Sequence, residues 1–347
     1  HRTSASGVLR LPTLQSADRS IDYRGRRVES RLPHGPSDHP RPWGLQVRGE
    51  TNTQGESLET LTWATGMLSC TNEITVFGTV HVPLINPVFA AKQMVSADHA
   101  GRGRFGLNLV SGWNAGEFEM FGIELREHDE RYAYSAEWVE IIKRIWSEDK
   151  PFNFKGDYFD LKEVILKPKP YCGGRPLLMS AGSSSTGRDF AAQHVDCLFM
   201  AISSLDRLKK EISAVKTALG HRDIGVYASG HIVCRPTQKE AEEYYHYFVH
   251  EMGDWEAVEH ILAIRQQSHS IPADLLAQMK ERLISGVGTF PVIGSPENIA
   301  DLYRKMADAG LNGMAIGMVN YIDELPFIEA ELLPRMAHLG LRATGPS

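Results

Sequence analysis

The chain has few cysteines and no cysteine motif. No two of them form a CxxC pair, and they are scattered over 347 residues as Cys70, Cys172, Cys197 and Cys234. This excludes a zinc ribbon and a disulfide-rich scaffold, because both need closely spaced cysteines. We therefore expect reduced thiols and a cytoplasmic location.

The sequence also lacks long apolar runs and a strong charge of either sign. No run approaches the ~18 residues of a membrane helix, and the polar N-terminal stretch lacks the apolar core of a signal peptide. The formal net charge of −6 and the pI of about 6.2 give no general attraction to nucleic acid or to anionic membranes. These absences leave a small molecule as the expected partner.

The sequence has enough apolar residues to form a large core, because 42% of its residues are hydrophobic. Short apolar runs alternate with amphipathic stretches, which is typical of parallel strands buried between helices. The length and pattern suit one α/β domain, a (β/α)8 TIM barrel with insertions. Strands are predicted at 74–82, 104–110, 177–181, 197–202, 224–233 and 313–319. Helices are predicted at 56–70, 128–146, 185–194, 205–219, 296–309 and 323–339.

Two stretches interrupt this alternation and are predicted insertions. Residues 152–170 contain Lys155-Gly156-Asp157 between aromatic residues, which indicates a hairpin. Residues 244–288 are long, polar and largely helical. A lid over the active face and a plain surface elaboration explain them equally well.

The N-terminal region does not supply the strands that a closed barrel needs. Six strands cannot close an eight-stranded barrel, so the first βα units are predicted to be atypical or missing. Residues 1–48 are rich in Arg, Ser, Pro and His, and we predict a disordered or displaced segment there rather than a basic nucleic-acid-binding arm. The barrel domain is predicted at 49–342, and 343–347 form a tail.

The most informative motif follows the predicted strand at 104–110. It runs Asn108-Leu109-Val110-Ser111-Gly112-Trp113-Asn114, and it is followed by Glu117 and by Glu127-His128-Asp129-Glu130-Arg131-Tyr132. A buried strand thus ends in a polar loop that leads to a helix, where a (β/α)8 barrel keeps its chemistry. The joint spacing resembles the bacterial luciferase-like flavin-dependent monooxygenases, in the branch of the pyrimidine, dimethyl-sulfone and alkanesulfonate monooxygenases.

That resemblance implies a flavin site on this motif. Asn108 would contact the flavin ring system, Glu117 falls at the family's spacing, and Arg131-Tyr132 match a flavin-binding Arg-Tyr pair. Taken singly, Asn108 would suit a loop cap and Arg131 a surface partner of Glu127, but the combined spacing favours the flavin.

Two neighbouring side chains are also predicted to face this site. Ser111 offers a hydroxyl group at the strand end. Trp113 could stack on the flavin ring as a flat wall, and it suits a core position under the loop equally well.

The run from Ser180 to Gly187 contains small residues between a strand and a helix. Free N–H groups at a helix start stabilise a phosphate, and the family resemblance aligns Ser184 with a phosphate-contacting serine. We therefore predict that Gly182, Ser183 and Ser184 hold the flavin phosphate. A simple N-cap cluster is the structural alternative.

Histidines at two other strand ends are predicted substrate-side residues. His231 aligns with a substrate-site histidine of alkanesulfonate monooxygenase, although a buried structural histidine explains it slightly better. That enzyme has an arginine two residues earlier, where this chain has Ser229, which weakens the case for a sulfonate substrate. His81 and, less strongly, Tyr321 are candidates of the same kind.

Other chemistries have little support. His128, Asp129 and Glu130 are adjacent at a helix start, so their side chains diverge and do not form a metal set. The sequence has no nucleophile elbow and no GxGxxG, which argues against a hydrolase or a Rossmann dehydrogenase.

The resemblance implies a two-component monooxygenase. It would use FMN in its reduced form (FMNH2) and O2, receive the flavin from a separate NAD(P)H:flavin reductase, and act on a small organic nitrogen or sulfur compound. A homo-oligomer, dimer or tetramer, is expected. The alternatives are an oxidoreductase that uses the deazaflavin F420 on the same barrel, and a catalytically impaired barrel that serves as a binding subunit.

Overall fold

The structure is a computed structural model that describes residues 45–46, 52–53, 58–113, 115–182, 184–220, 222–264 and 273–342. Most of the predicted N-terminal segment, the tail at 343–347 and Ser183 lie outside these residues. Two short strands, β1 and β2, pair antiparallel near the start. In chain order the strands are β1 Leu45–Gln46, β2 Asn52–Thr53, β3 Val76–His81, β4 Phe105–Val110, β5 Phe152–Lys155, β6 Asp160–Val164, β7 Leu177–Ser180, β8 Cys197–Met200, β9 Gly225–Cys234, β10 Phe290–Gly294 and β11 Gly313–Gly317.

A seven-stranded sheet with parallel pairing forms the centre of the fold. Its strands β3, β4, β7, β8, β9 and β11 lie next to one another in chain order, which is the arrangement of a barrel wall. In the described part of the chain, β3 and β11 are the two ends of this arc. All six strands that the sequence predicted are confirmed. Because they pair in parallel, their carboxyl ends lie at the same end of the sheet.

Helices cover this sheet, and a few single turns connect them. Short 3₁₀ turns lie at Val82–Leu84 and Tyr171–Gly173, and π-helical turns lie at Tyr247–Glu251 and Ile328–Leu332. The helices are α1 Thr60–Cys70, α2 Pro87–Ala100, α3 Ala115–Met120, α4 His128–Ser147, α5 Ser185–His194, α6 Leu205–Leu219, α7 Gln238–His246, α8 Trp255–Ile264, α9 Ala273–Gly286, α10 Pro296–Asp308, α11 Tyr321–Phe327 and α12 Leu333–His338.

Helix α4 illustrates how the predicted apolar faces build the core. Trp138, Ile141, Ile142 and Ile145 repeat at helical spacing, and each side chain is at most 1% exposed. Full burial of one such side chain contributes about 1.5–3 kcal/mol. The Trp138 indole N–H also donates to the Ile85 carbonyl at 2.9 Å, whereas the buried indole N–H of Trp146 on the same helix has no hydrogen-bond partner.

Several regular elements were not predicted from the sequence, among them strand β10 and the helices α2, α3 and α7. Strand β10 contains Pro291, which argues against a strand, but β10 pairs with β9 alone and a strand at such an edge tolerates the missing N–H. Helix α2 buries Ala90, Ala91, Met94 and Val95 at helical spacing. The same face includes the polar Asp98, and the large apolar Phe89 is 60% exposed, so the apolar face is hard to recognise from the sequence. Strand β10 and helix α2 are therefore recognised only from contacts that form in the folded protein.

The predicted interruptions appear where the sequence indicated them. Strands β5 and β6 form the antiparallel hairpin expected within 152–170. The stretch 244–288 contains α8, α9 and a π-helical turn in its described residues. Gly310, with φ of 104°, follows the end of α10 as expected, and the closing helix is divided by the π-helical turn between α11 and α12. Among the described residues, no helix is both long enough and apolar enough to cross a bilayer.

Candidate functional site

A cavity of about 960 Å³ opens at the carboxyl ends of β4, β7, β8 and β9. Six of the predicted site residues line it, although they come from three separate stretches of the chain. The loop after β4, the start of α4 and the loop after β7 thus meet at one hollow. The six residues are Asn108, Ser111, Trp113, Tyr132, Gly182 and Ser184.

Asn108 lines this cavity and carries a buried acceptor without a partner. Its Nδ2 donates to the Thr79 hydroxyl at 3.2 Å, whereas its Oδ1 is buried and has no hydrogen-bond partner. A buried polar atom without a partner costs about 1–3 kcal/mol. A ligand N–H that reached Oδ1 would recover this cost, so the atom suits a ring that carries N–H groups.

Ser111 belongs to a short hydrogen-bonded chain. Ser135 donates its hydroxyl hydrogen to the Arg131 carbonyl at 2.8 Å, and the Ser111 and Ser135 hydroxyl oxygens are 3.0 Å apart. Because the Ser135 hydrogen is already used, Ser111 must be the donor between the two hydroxyls. The Ser111 oxygen therefore keeps its lone pairs for a ligand donor.

Arg131 does not line the cavity but ties down the loop that does. Its Nη1 donates to the Gly112 carbonyl at 2.6 Å. Gly112 has φ of 96°, and a Cβ there would lie 2.3 Å from the Phe118 ring, so only glycine fits this turn. The predicted contact of Arg131 with flavin stays a prediction.

The start of α5 forms a tight backbone cradle. Ser184 is the N-cap, and its hydroxyl oxygen accepts from the Gly187 N–H at 3.0 Å. A Cβ on Gly182 would lie 2.9 Å from the Gly187 Cα and 2.8 Å from the Tyr132 hydroxyl oxygen. Glycine therefore lets the two loop segments and Tyr132 meet. Ser184, the N-cap of this ten-residue helix, lines the cavity, and the N-terminus of a helix favours an anion.

A polar link joins the starts of α4 and α5. The Thr186 hydroxyl donates to the Asp129 carboxylate at 2.9 Å, and the His128 Nδ1–H donates to the same carboxylate at 2.7 Å. These bonds, led by that of His128, hold the pKa of Asp129 below its usual range. His128 also lines the cavity, a role that the sequence did not indicate.

Two other predicted residues pair with each other beside the site. The His81 Nδ1 lies 3.2 Å from the Glu117 Oε2, and neither residue lines the cavity. His81 ends β3 and Glu117 lies on α3, so the pair connects the first strand of the arc to the loop after β4.

His231 is buried just outside the cavity lining. Its side chain is 6% exposed, its ring centroid lies 5.5 Å from that of Phe248, and its Nε2 has no hydrogen-bond partner. Burial lowers the pKa of His231 to about 4, so the ring is neutral at pH 7.

Tyr321 is 45% exposed and does not line the cavity. His231 and Tyr321 both lie beside Gly317. A Cβ at Gly317 would be 3.8 Å from the His231 Nδ1 and 3.9 Å from the Tyr321 hydroxyl oxygen.

Several lining residues had no sequence pattern to reveal them. Three of them lie at or just after the carboxyl end of β8; they are Phe199, Met200 and Ile202. The barrel prediction implies that residues at this end of a strand can line the site, but it does not single these three out. The second insertion ends with Val287 and Gly288, which line the cavity together with the next residues, Thr289 and Phe290. Nothing local in the sequence indicates that these four residues reach the cavity. Among the described residues, no group of three or more His, Cys, Asp or Glu side chains is arranged to hold a metal ion.

The fold and the cavity define a (β/α)8-type α/β protein with a ligand site at the carboxyl ends of its strands. Residues 22–313 match the family described as luciferase-like monooxygenase. This match begins inside the segment predicted as atypical. The chain therefore belongs to the luciferase-like monooxygenase family, and the predicted enzyme class, a flavin-dependent monooxygenase, is confirmed.

Named relatives and a solved structure agree with this assignment. An FMNH2-dependent dimethylsulfone monooxygenase of Pseudomonas fluorescens is 29% identical over 82% of this chain and 79% of its own. The pyrimidine monooxygenase RutA of Acinetobacter baylyi is 25% identical over 83% and 80%. The crystal structure of DmoA from Hyphomicrobium sulfonivorans has a TM-score of 0.75 at 18% identity, covering 85% of this chain and 75% of DmoA, which supports the fold.

Proposed function

We propose that this protein uses reduced FMN and O2 to oxygenate a small organic nitrogen or sulfur compound. The convergence of Asn108, Ser111, Tyr132, Gly182 and Ser184 on one cavity carries this proposal. Reduced FMN supplies two electrons, one oxygen atom of O2 enters the substrate, and the other leaves as water. The dependence on FMNH2 and the sulfur or nitrogen substrates of the named relatives support the same function.

The lining residues fit FMN at two separate points. The buried, unpaired Asn108 Oδ1 would accept from a ring N–H, and the Ser111 oxygen has lone pairs for a second donor. The N-terminus of α5, capped by Ser184 and open at Gly182, would hold the phosphate. A ring at one point and a phosphate at the other match the two ends of this cofactor.

The remaining lining residues would shelter the reaction from water. Leu109, Val110, Met179, Phe199 and Met200 give the cavity extensive apolar walls. Apolar walls exclude bulk water, which protects a reactive reduced cofactor and strengthens the few polar contacts. The chain therefore contributes binding, orientation and exclusion of water, and it needs few acid or base groups.

An anaerobic titration tests the cofactor. Purified protein is titrated with reduced FMN, with oxidised FMN and with reduced deazaflavin, and oxygen uptake is then followed with dimethyl sulfone and with uracil. We expect reduced FMN to bind most tightly and a substrate-dependent oxygen uptake to follow. Preferred binding of the deazaflavin would support the oxidoreductase alternative. Binding of FMN without product formation would support the impaired binding subunit.

The partners and location of the protein extend this proposal. A separate NAD(P)H:flavin reductase would supply the reduced FMN, and the protein would act as a homo-oligomer in the cytoplasm. All four cysteines are free thiols, and Cys197 and Cys234 are buried, which suits a reducing compartment. Turnover that starts when a flavin reductase and NADH are added, with FMN in catalytic amount, would support the reductase. Light scattering would measure the oligomer.

A further inference from the structure

Two methionine side chains belong to the wall of the cavity. Met179 lies in β7 and Met200 ends β8, and both residues line the cavity. Both are partly exposed, whereas Leu178, next to Met179 in the same strand, is 0% exposed. A thioether suits an apolar wall, but its sulfur also accepts an oxygen atom to form a sulfoxide. A cavity that is proposed to activate O2 therefore carries two oxidisable sulfur atoms in its wall.

Met179 lies directly beside Asn108 in the sheet. Strands β4 and β7 pair in parallel, and their register places Met179 opposite Asn108. Residues that lie opposite each other in such a pair project to the same face, and neighbouring strands are about 4.8 Å apart. The Met179 thioether is thus one strand away from the amide that is proposed to contact the flavin ring. Met200 lies two strands away, on β8. Of the two lining sulfur atoms, that of Met179 is expected to be the nearer to the ring.

The neighbouring cysteine is protected from oxidation. Cys197 of β8 lies opposite Met179, but it is 2% exposed and does not line the cavity. Burial raises the pKa of the Cys197 thiol to about 11, so the thiol keeps its proton at pH 7. Because the thiolate is the form of cysteine that is readily oxidised, this thiol reacts slowly. A thioether has no proton to lose, so Met179 is the reactive sulfur at this point of the sheet.

Two methionines on the outside of the protein provide a contrast. Met120 at the end of α3 is 81% exposed, and Met252 is 48% exposed. Peroxide in bulk solution reaches exposed sulfur atoms most easily, so it oxidises these two residues first. Oxygen that is activated inside the cavity meets Met179 first. The position of the first sulfoxide therefore identifies where the oxygen was activated.

We propose that the protein oxygenates its own Met179 when no substrate is bound, which makes Met179 a site of covalent modification. Reduced FMN gives two electrons and two protons, and the thioether sulfur gives two further electrons. One oxygen atom of O2 forms the S=O bond of the sulfoxide, and the other leaves as water, so atoms and electrons balance. This inference rests on the proposed function, because it needs reduced FMN and O2 in this cavity.

Oxidation of Met179 changes the wall on which the cofactor ring is proposed to lie. A sulfoxide is polar and chiral, whereas the thioether that it replaces is apolar and flexible. The oxidised side chain therefore disturbs the packing beside Asn108, and we expect the Kd for reduced FMN to rise about tenfold. Reaction with O2 in the absence of substrate then becomes slower with each oxidised molecule, so the modification restrains wasteful consumption of reduced FMN.

Peptide mapping by mass spectrometry tests the site of oxidation. The protein reacts in the dark with excess reduced FMN and O2, while catalase and superoxide dismutase remove peroxide and superoxide from the solution. A second sample receives hydrogen peroxide without flavin. We expect one added oxygen atom at Met179 before Met120 and Met252 in the first sample, and the reverse order in the second. Oxidation of Met200, Met120 or Met252 before Met179 in the first sample, or the same order in both samples, would overturn the inference.

Two variants test the effect of the sulfoxide on cofactor binding. Met179→Leu removes the sulfur at nearly constant volume, and Met120→Leu is the matched control at an exposed position. After the reaction with reduced FMN and O2, the Kd of the wild-type protein and of Met120→Leu should rise about tenfold. The Kd of Met179→Leu should stay within about twofold of its own value before the reaction. An equal rise in Met179→Leu would contradict the role of Met179.

FMN binding separates this inference from the proposed function. If the untreated wild-type protein does not bind reduced FMN, the proposed function fails. If it binds reduced FMN and consumes O2 while Met179 stays unoxidised, the inference about Met179 alone fails.

Discussion

Arg131 and Gly112 are joined by a 2.6 Å hydrogen bond from the Arg131 Nη1 to the Gly112 carbonyl. This bond connects α4 to the loop after β4, nineteen positions earlier in the chain. The loop carries Ser111 and Trp113 at the cavity, so a side chain outside the lining controls the position of two side chains within it. Arg131 thus has a structural role that is independent of any direct cofactor contact.

Replacing Arg131 should weaken the cofactor site through the loop. Arg131→Met keeps an apolar stem but removes the donor, and we expect the Kd for reduced FMN to rise about tenfold, by about 1.4 kcal/mol. Arg335→Met is the control, because Arg335 pairs with Glu331 on an exposed helix turn and should leave the Kd unchanged. An Arg131→Met protein with wild-type FMN affinity would contradict the role of this bond.

Replacing Asn108 should preserve or raise the stability of the fold and weaken cofactor binding. Asn108→Leu removes the buried, unpaired Oδ1 at the cost of one 3.2 Å hydrogen bond to Thr79. Since an unsatisfied buried acceptor costs about 1–3 kcal/mol, we expect an unchanged or higher Tm together with at least about tenfold weaker FMN binding. Differential scanning calorimetry and the anaerobic titration measure the two effects. Asn298→Leu, at an exposed position on α10, should alter neither the FMN Kd nor oxygen uptake.

Ser184→Asp tests the phosphate cradle while keeping the helix cap. Aspartate caps helices as well as serine does, so the protein should stay folded, but its charge would repel a phosphate at the same N-terminus. We expect FMN to bind at least about tenfold more weakly, by about 1.4 kcal/mol, and riboflavin, which lacks the phosphate, to bind as before. Ser295→Asp is the matched control, because Ser295 caps α10 in the same way. Equal losses for FMN and riboflavin would remove the phosphate from this loop.

His231 should make the fold sensitive to acid. Burial lowers its pKa to about 4, whereas an unfolded histidine has a pKa of about 6.5. The folded protein therefore favours the neutral ring, and the associated stability is complete above pH 6.5 and is lost as the pH falls toward 4. We expect the Tm of His231→Gln to fall less between pH 7 and pH 5 than that of the wild-type protein. Parallel Tm profiles for the two proteins would contradict this.

His194 provides an independent comparison for that pH profile. Burial, followed by the positive charges of Lys143 and Arg222, lowers its pKa to about 4 as well. His194→Gln should therefore reduce the acid sensitivity in the same direction, and the double variant His194→Gln/His231→Gln should reduce it further. His194 does not line the cavity, so His194→Gln should bind FMN as tightly as the wild-type protein does.

The sequence predicted the part of the site that is local in the chain. Asn108 lies near the end of β4, Ser111 and Trp113 follow that strand, and Ser184 caps the helix after β7. The alternation of strands and helices was therefore enough to place them at the same end of the sheet. The same reasoning could not reach Thr289. It follows a long insertion, and its strand contains Pro291, which is tolerated only because β10 lies at an edge.

By itself, the sequence determined the α/β class, the six parallel strands of the arc and the polar strand ends, because each depends on the periodicity of neighbouring residues. Only the tertiary structure decided that His81 pairs with Glu117, that Arg131 binds a backbone carbonyl and that charged side chains are absent from the described cavity lining. Burial and side-chain partners arise from contacts between distant segments. No local pattern in the chain encodes them.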